Sequence, residues 1–404
     1  MKKKMSIVVG ALCALLSYSN VQAAPGDLDT ATFNPSGLIS GIPGLVTDDI
    51  ANSGFSRGNA VLIQPDDQKI IAVGSTRGGG PTNLHVSFIS GNYVLARFET
   101  DGSLDASFGN SSGNEVTPLF LNSLSDQANA AVLQPDGKII AAGTSLSTVE
   151  IISSNVFSLA RYTKEGALDP DFNTMGYVVL PQFLNVNSSS INAVGLQSDG
   201  KIVVAGYANQ IGQSMIALMR FNTNGSVDNS FGPNGDGTVF TSFGPNTYNI
   251  ARGIAIQDDD KIVVAGNTTE SSVTNFALVK YDKDGNPDSS FGTAGLLKVP
   301  NFSGSTDDEA SAVVIQSDHK IVAAGTLWTS PNILLGLFRC DSQGNPDATF
   351  GTGGYVSTTY SPNDVFGTSM LLQANEKIVV GGFAGTNNNN FNITLARYKS
   401  DGIS

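Results

Sequence analysis

Short apolar runs separated by tight-turn signals recur along the chain, and most of them do not alternate with polar residues; Ile202-Val203-Val204-Ala205 is typical. A strand with one face in water alternates apolar and polar positions, whereas a strand covered on both faces reads as a continuous apolar stretch. The runs are short, rich in β-branched residues and bounded by Gly, Pro and Asp, so they predict strands. In the segment Gln134-Pro135-Asp136-Gly137-Lys138 a turn separates a run over Ala130–Gln134 from one over Lys138–Gly143, which predicts a hairpin. Val156–Tyr162 predicts a third strand and Val116–Leu121 a weaker fourth, with Pro118 suited to an edge or a bulge.

This set of runs repeats. Gln64, Gln134, Gln197, Gln257, Gln316 and Gln373 open six hairpin turns, and Gly74, Gly143, Gly206, Gly266, Gly325 and Gly382 close the strand after each, at a period of about 60 residues. A second block follows each hairpin, with a basic residue at Arg97, Arg161, Arg220, Lys280, Arg339 and Arg397. A Leu-Asp element with a following aromatic completes it, as in Leu104-Asp105-Ala106-Ser107-Phe108-Gly109. Four strands per repeat, covered on both faces, point to blades packed between neighbours, and the period suits a β-propeller. A β-solenoid with short rungs is the second architecture. The segment Gly26-Asp27-Leu28-Asp29 with Phe33 matches the third element, and the sequence ends at Asp401-Gly402-Ile403-Ser404 where the next such element would start. The reading is therefore all-β: a single six-bladed β-propeller with four antiparallel strands per blade, closed by the N- and C-terminal parts of one repeat.

The same residues resemble the delta-60 repeat of bacterial exported and surface proteins, over almost all of the chain after its first residues. The resemblance implies a β-propeller and export. It supplies no catalytic residues.

Composition agrees with this. Gly is abundant, at 45 of 404 residues, and charged residues make up only 14%, as in chains with many tight turns. Lys2, Lys3 and Lys4, the apolar Met5–Leu16 and Val21-Gln22-Ala23 read as a signal peptide over residues 1–23, leaving 24–404 as the propeller domain. Cys13 in a lipoprotein-type site is the weaker alternative. The leader contains no acidic residue, so losing its three lysines takes the formal net charge from −13 to −16. An acidic surface disfavours nucleic acid and anionic lipid as partners, and no apolar run is long enough to insert in a membrane. Only Cys340 is left after residue 23, so no internal disulfide forms; it occupies a position that is aromatic in other repeats and reads as core. The expected protein is an exported monomer, periplasmic or extracellular.

Residues present once per repeat, such as the six basic residues and Asp29, Asp105, Asp169, Asp228, Asp288 and Asp347, read as a ring of structural pairs. Catalytic groups must be sought among unrepeated residues, and no acid–base or nucleophile set assembles there, so no catalytic residue is assigned. His319 falls in a hairpin turn. His85 lies in the enlarged loop Arg77–Gly91 and Trp328, the single tryptophan, in the loop after Gly325; these two are the ligand-binding candidates. A second enlarged loop is expected over Leu146–Asn155. Asp126, Asp307, Asp308, Glu309 and Asp364 precede the first hairpin strand of their repeats at similar offsets and would share one rim, making them candidate Ca²⁺ ligands, with no other cofactor expected. The strands Val178–Leu180, Thr238–Ser242, Leu296–Val299 and Val356–Thr359 are expected to line the channel and offer no acid–base pair. The favoured function is a non-enzymatic scaffold that binds a protein or glycan through its loop rims. The alternative is an exported hydrolase or lyase with a metal or carboxylate in the channel.

Overall fold

The turn chemistry and apolar runs fold as the pattern requires. A computed structural model describes residues 11–12, 56–77, 91–109, 113–117, 125–149, 152–180, 186–210, 212–360, 364–386 and 390–402. Among the described residues every regular element is a strand, and no helix is long and apolar enough to cross a membrane. The chain divides into two compact units, Met1–Gln182 and Phe183–Ser404.

In the first unit, β1 (Ala11–Leu12) pairs in parallel with Ala60–Val61 of β2 (Ser56–Ile63). The strands β2, β3 (Ile70–Arg77), β4 (Gly91–Phe98) and β5 (Asn114–Thr117) form an antiparallel meander. The next meander contains β6 (Asp126–Leu133), β7 (Ile139–Val149), β8 (Ile152–Tyr162) and β9 (Tyr177–Val179). The second unit repeats this order. It contains β10 (Ser188–Leu196), β11 (Ile202–Gln210), β12 (Gln213–Phe221) and β13 (Thr238–Thr241), then β14 (Tyr248–Ile256), β15 (Ile262–Glu270), β16 (Val273–Tyr281) and β17 (Leu296–Lys298). These are followed by β18 (Asp307–Ile315), β19 (Ile321–Trp328), β20 (Ile333–Cys340) and β21 (Tyr355–Thr358), and finally β22 (Asp364–Leu372), β23 (Ile378–Thr386) and β24 (Asn390–Tyr398).

One loop expectation changes. Leu146–Asn155 is a lengthened hairpin, because Leu146 pairs with Asn155 and Val149 with Ile152. The fourth strand of the first meander ends at Thr117, and Pro118–Leu121 lies outside the described residues, as do His85, Asp29 and nearly all of the expected leader.

Burial on both faces holds: Ile202, Val203, Val204 and Ala205 are all fully buried. Neighbouring repeats share their cores, so that Val263, Phe276 and Phe291 of one pack with Val313, Ile321 and Phe338 of the next. Each such aliphatic or aromatic side chain contributes about 1.5–3 kcal/mol on burial, which makes one repeat the partner its neighbour needs.

Within each unit the first strands of successive repeats pack against one another: β2 on β6, and β10, β14, β18 and β22 in series. Each fourth strand lies at the far edge, paired with its own third strand, as β13 is with β12. The expected channel strands Val178–Leu180, Thr238–Ser242, Leu296–Val299 and Val356–Thr359 are thus on the edge away from the first strands. Apolar content does not separate the two edges, because both the first and the fourth strands are partly apolar. Every first strand also carries a β-bulge at the same place, and the extra residue is Asn59, Asn129, Asn192, Arg252, Ser311 or Thr368. A bulge twists a strand and re-aims the side chain it adds.

Candidate functional site

At the end of the repeats where the Pro-Asp-Gly type turns lie, the repeated polar residues form a clamp. Arg97 Nε donates to Asp105 Oδ2 at 2.7 Å, and its Nη1 donates to Gln64 Oε1 at 3.1 Å and to the Lys164 carbonyl of the next repeat at 2.8 Å. Lys69 Nζ reaches the same carboxylate oxygen at 2.8 Å. The guanidinium carbon also lies 4.7 Å from the Phe108 ring centre, a cation–π geometry. Arg220 repeats all of this with Asp228, Gln197, the Lys283 carbonyl and Phe231. Arg339 keeps the contacts to Gln316, the Ser400 carbonyl and Phe350, and its Nε lies 2.9 Å from Asp347 Oδ2 as an ion pair without a hydrogen bond. Phe231 lies under Gly285 of the next repeat, whose φ is +87° and where a Cβ would come within 2.7 Å of the ring; only glycine fits that turn.

Burial would raise the pKa of the clamp aspartates, but the Ser, Lys and Arg donors outweigh it. Asp105 and Asp228 are held below the usual carboxylate range, and Asp288 and Asp347 at about 2. Lys280 is the departure. Its Nζ reaches the Ser342 carbonyl at 3.0 Å and Asp288 at 3.7 Å; Gln257 Oε1 is buried without a partner, as is Gln134 Oε1 in the copy of Arg161.

The opposite end of the repeats is unrepeated. In a strand alternate residues share a face. In the second unit the outward column of each first strand is Ser188, Ser190, Asn192; Tyr248, Ile250, Arg252; Asp307, Glu309, Ser311; and Asp364, Phe366, Thr368. All but Ser190 are half-buried or exposed, while the intervening Asn249, Ala251, Asp308, Ala310 and Val365 are buried. Trp328 is the last residue of β19, in register with Asp307, and is 41% exposed. Its ring meets that of Phe366 edge-on at 5.8 Å, and Phe366 stacks on Phe383 at 4.6 Å. Arg252 Nη2 lies 3.1 Å from Glu309 Oε2, and its Nε donates to Asn267 Oδ1 at 3.1 Å.

The four acidic candidates of the second unit therefore do not share one face. They lie at the start of the first strands, not before them, and strand alternation separates them. Asp307 Oδ1 accepts from the Thr274 N–H at 3.2 Å, and Asp364 Oδ1 from the Ile333 N–H at 2.9 Å, so each ties its strand to the preceding repeat. Glu309 pairs with Arg252. Asp308 points the other way, fully into the core, and neither of its oxygens has a hydrogen-bond partner; the nearby Ser305 hydroxyl donates to the Phe302 carbonyl. Burial pushes its carboxyl up to about 6, partly opposed by Ser305 and the Phe302 backbone. Asp126, buried, occupies the register position of Asp308 in the other unit, two residues before an Ala–Gly pair. Among the described residues no group of three or more His, Cys, Asp or Glu is placed to hold a metal ion.

His319 is exposed in its turn with φ +63°. Cys340 is fully buried, with its thiol pushed up to about 12 by burial. A cavity of about 490 Å³ opens beside β21, lined by Phe302, Ser303, Thr352, Tyr355 and Val356; it holds no acid, base or nucleophile pair. A smaller one of about 200 Å³ lies at the clamp of Gln64, Arg97 and Lys164.

Five segments of the chain, 88–108, 134–172, 197–231, 257–291 and 373–402, match a family described as a "Domain of unknown function (DUF5122) beta-propeller". The described residues are all-β, and the matched segments are repeats of a β-propeller kind. Three of these segments run from the clamp Gln to the clamp Phe and omit the first strand, so the match rests on the clamp end of the repeats. No curated protein matches the chain in sequence. Among solved structures it is similar to a protein of unknown function from Dyadobacter fermentans, at 10% identity over 83% of this chain and 92% of that one, with a TM-score of 0.48. An ulvan lyase of a new polysaccharide lyase family gives 12%, 85%, 78% and 0.49. The endo-arabinanase from Bacillus licheniformis gives 12%, 68%, 94% and 0.37. None of these three likenesses bears on ligand or activity.

Proposed function

We propose that this protein is a non-enzymatic binding scaffold that recognises a glycan or a protein surface at the unrepeated end of its propeller repeats. One contrast carries the reading. The repeated polar groups around Arg97, Arg220 and Arg339 are engaged in the clamp, whereas Tyr248, Phe366, Arg252 and Glu309 on the first strands, and Trp328 at the end of β19, are unrepeated and lie toward solvent. Aromatic rings beside a few fixed polar groups are what a binding surface needs. The test is binding of the purified full chain to glycan and peptide arrays. Capture of a defined probe that is lost in Trp328→Ala and kept in Asp318→Ala, at the clamp end, supports it. Cleavage of a bound glycan would favour the hydrolase or lyase alternative, with Glu309 as its carboxylate.

The same reading takes the repeats as of the delta-60 kind, arranged as six four-stranded blades, with the segment around Gly26–Phe33 supplying what the sixth lacks. In support, Ile393 and Leu395 of β24 are 68% and 57% exposed, while Leu335 and Leu337, at the same register of β20, are 2% and 0% exposed beside β21. The basic n-region, apolar run and small-residue site over residues 1–23 support export to the periplasm or the exterior, as a monomer and without a cofactor.

A further inference from the structure

The bulge residue lies five positions before the clamp Gln in every repeat, so it is an identifiable site in each copy. In two copies it is an Asn that stitches repeats together: Asn59 Nδ2 donates to the Ala128 carbonyl, and Asn192 Nδ2 to the Ala251 carbonyl, each at 2.7 Å. Ala128 and Ala251 are the residues just before the bulge of the next first strand. In the fourth copy Arg252 replaces that Asn. It makes no such stitch; its Nε and Nη2 engage Asn267 and Glu309, and its Nη1 has no partner among the described residues. Arg252 and Glu309 are about one-third exposed, so the pair does not serve the core, and the stitch in other copies shows that the fold does not require arginine here.

What the replacement creates is a fixed donor beside a fixed acceptor, facing solvent. Ser311 and Thr368 place hydroxyls at the same bulge position of the next two first strands. Phe366, one alternation step from Thr368, and Trp328 in contact with it place aromatic rings on the same side. A sugar hydroxyl both donates and accepts, so adjacent hydroxyls are matched by an arginine and a carboxylate held side by side, and the C–H face of a pyranose packs on an aromatic ring. The column also carries Asp307, Glu309 and Asp364 against a single guanidinium, and a carboxylated or sulfated sugar would meet net repulsion. Resting on the binding reading above, we propose that Arg252 and Glu309 form a subsite for an uncharged pyranose sugar, with Phe366 and Trp328 as its apolar wall.

The single tryptophan makes the site self-reporting. The purified full chain is titrated with cellotetraose, xylotetraose, mannotetraose and trigalacturonate, following Trp328 emission and binding heat. One neutral tetrasaccharide is expected to give a saturable response, at least tenfold weaker in both Arg252→Asn and Glu309→Gln, with no response to trigalacturonate. Arg252→Asn restores the residue of the sister repeats, so its unfolding midpoint stays at the parent value and a loss of binding is not a loss of fold. Parent-like affinity in Arg252→Asn, preference for trigalacturonate, or no response to any of the four overturns the subsite. If Trp328→Ala abolishes binding by calorimetry while Arg252→Asn does not, the scaffold reading stands and this inference falls.

Discussion

Arg97, Arg220 and Arg339 meet an Asp, a Gln, a neighbouring carbonyl and a Phe in the same geometry at one end of their repeats. At the other end, register-equivalent positions hold Tyr248, Asp307 and Asp364, then Ile250, Glu309 and Phe366. Copies that bond to the next in the same way reuse the same residues, with Lys280 for Arg as the departure in the fourth copy. A surface that meets one ligand has no such constraint. Sameness among copies therefore marks the scaffold, and difference marks where function can sit.

The largest effect should come from breaking the clamp. Arg220→Ala leaves Asp228 buried without its guanidinium, opens Gln197 and the Lys283 carbonyl, and removes the stack on Phe231. Removing one partner of a buried pair costs about 3–5 kcal/mol, to be read from urea unfolding at pH 7. Because the folded clamp aspartates titrate below their unfolded value, their contribution is full above about pH 4 and is lost as the pH falls, through about 2 for Asp288 and Asp347. A loss under 1 kcal/mol in Arg220→Ala would mean that the repeats are held by apolar packing alone.

Asp308 should behave in the opposite sense. Its folded pKa of about 6 lies above the unfolded value, so stability is full below about pH 4 and falls as the pH rises through 6, by an amount on the order of 3 kcal/mol. The register-equivalent Asn249 donates to the Ser214 carbonyl and to Thr247, both at 2.8 Å. Asp308→Asn should therefore raise stability at pH 7 by roughly 1–3 kcal/mol and remove the fall between pH 4 and 7. An unchanged pH profile would show that the Asp308 carboxyl finds a donor in solution.

How much of this was legible follows the same division. Clamp residues announce themselves by recurrence, so the Gln, Arg, Asp and Phe positions and the structural pairing of Arg161 with Asp169 could be read directly; that pair lies at 2.6 Å. The acidic rim misled because sequence offset ignores strand alternation: Asp307 and Asp308 are neighbours in sequence but point to opposite faces. Which edge strand packs on the next repeat was not legible, since both the first and the fourth strands are partly apolar. Arg252 was missed although a signal existed, an Asn at five residues before the Gln in the first three copies and an Arg in the fourth. Its meaning needed the bulge that turns this position toward solvent.

A smaller effect tests how far the clamp is optimised. Lys280 takes the arginine's place in the fourth copy, where Gln257 Oε1 is buried without a donor, as Gln134 Oε1 is in the copy of Arg161. An ammonium is a point charge on a flexible stem, whereas a guanidinium forks toward several acceptors at once. Lys280→Arg should let Nη1 reach Gln257 as it reaches Gln197 and Gln316 elsewhere, adding about 1 kcal/mol by urea unfolding. Destabilisation instead would show that the fourth copy has closed around the shorter head group.

The smallest effect is the sharpest for the comparison. Arg252→Asn removes an ion pair in which both partners are about one-third exposed, worth about 0.2–1 kcal/mol. It also lets an Asn donate toward the Ala310 carbonyl as Asn192 does toward that of Ala251, a bond worth about 0.5–1.5 kcal/mol. The two terms nearly cancel, so unfolding in urea should shift by less than about 0.5 kcal/mol in either direction. Arg220→Ala and Arg252→Asn then stand as two arginine losses in one molecule, the first severe for folding and the second nearly silent. A cost above 1.5 kcal/mol for Arg252→Asn would place this arginine with the scaffold, and difference among copies would no longer point to a ligand.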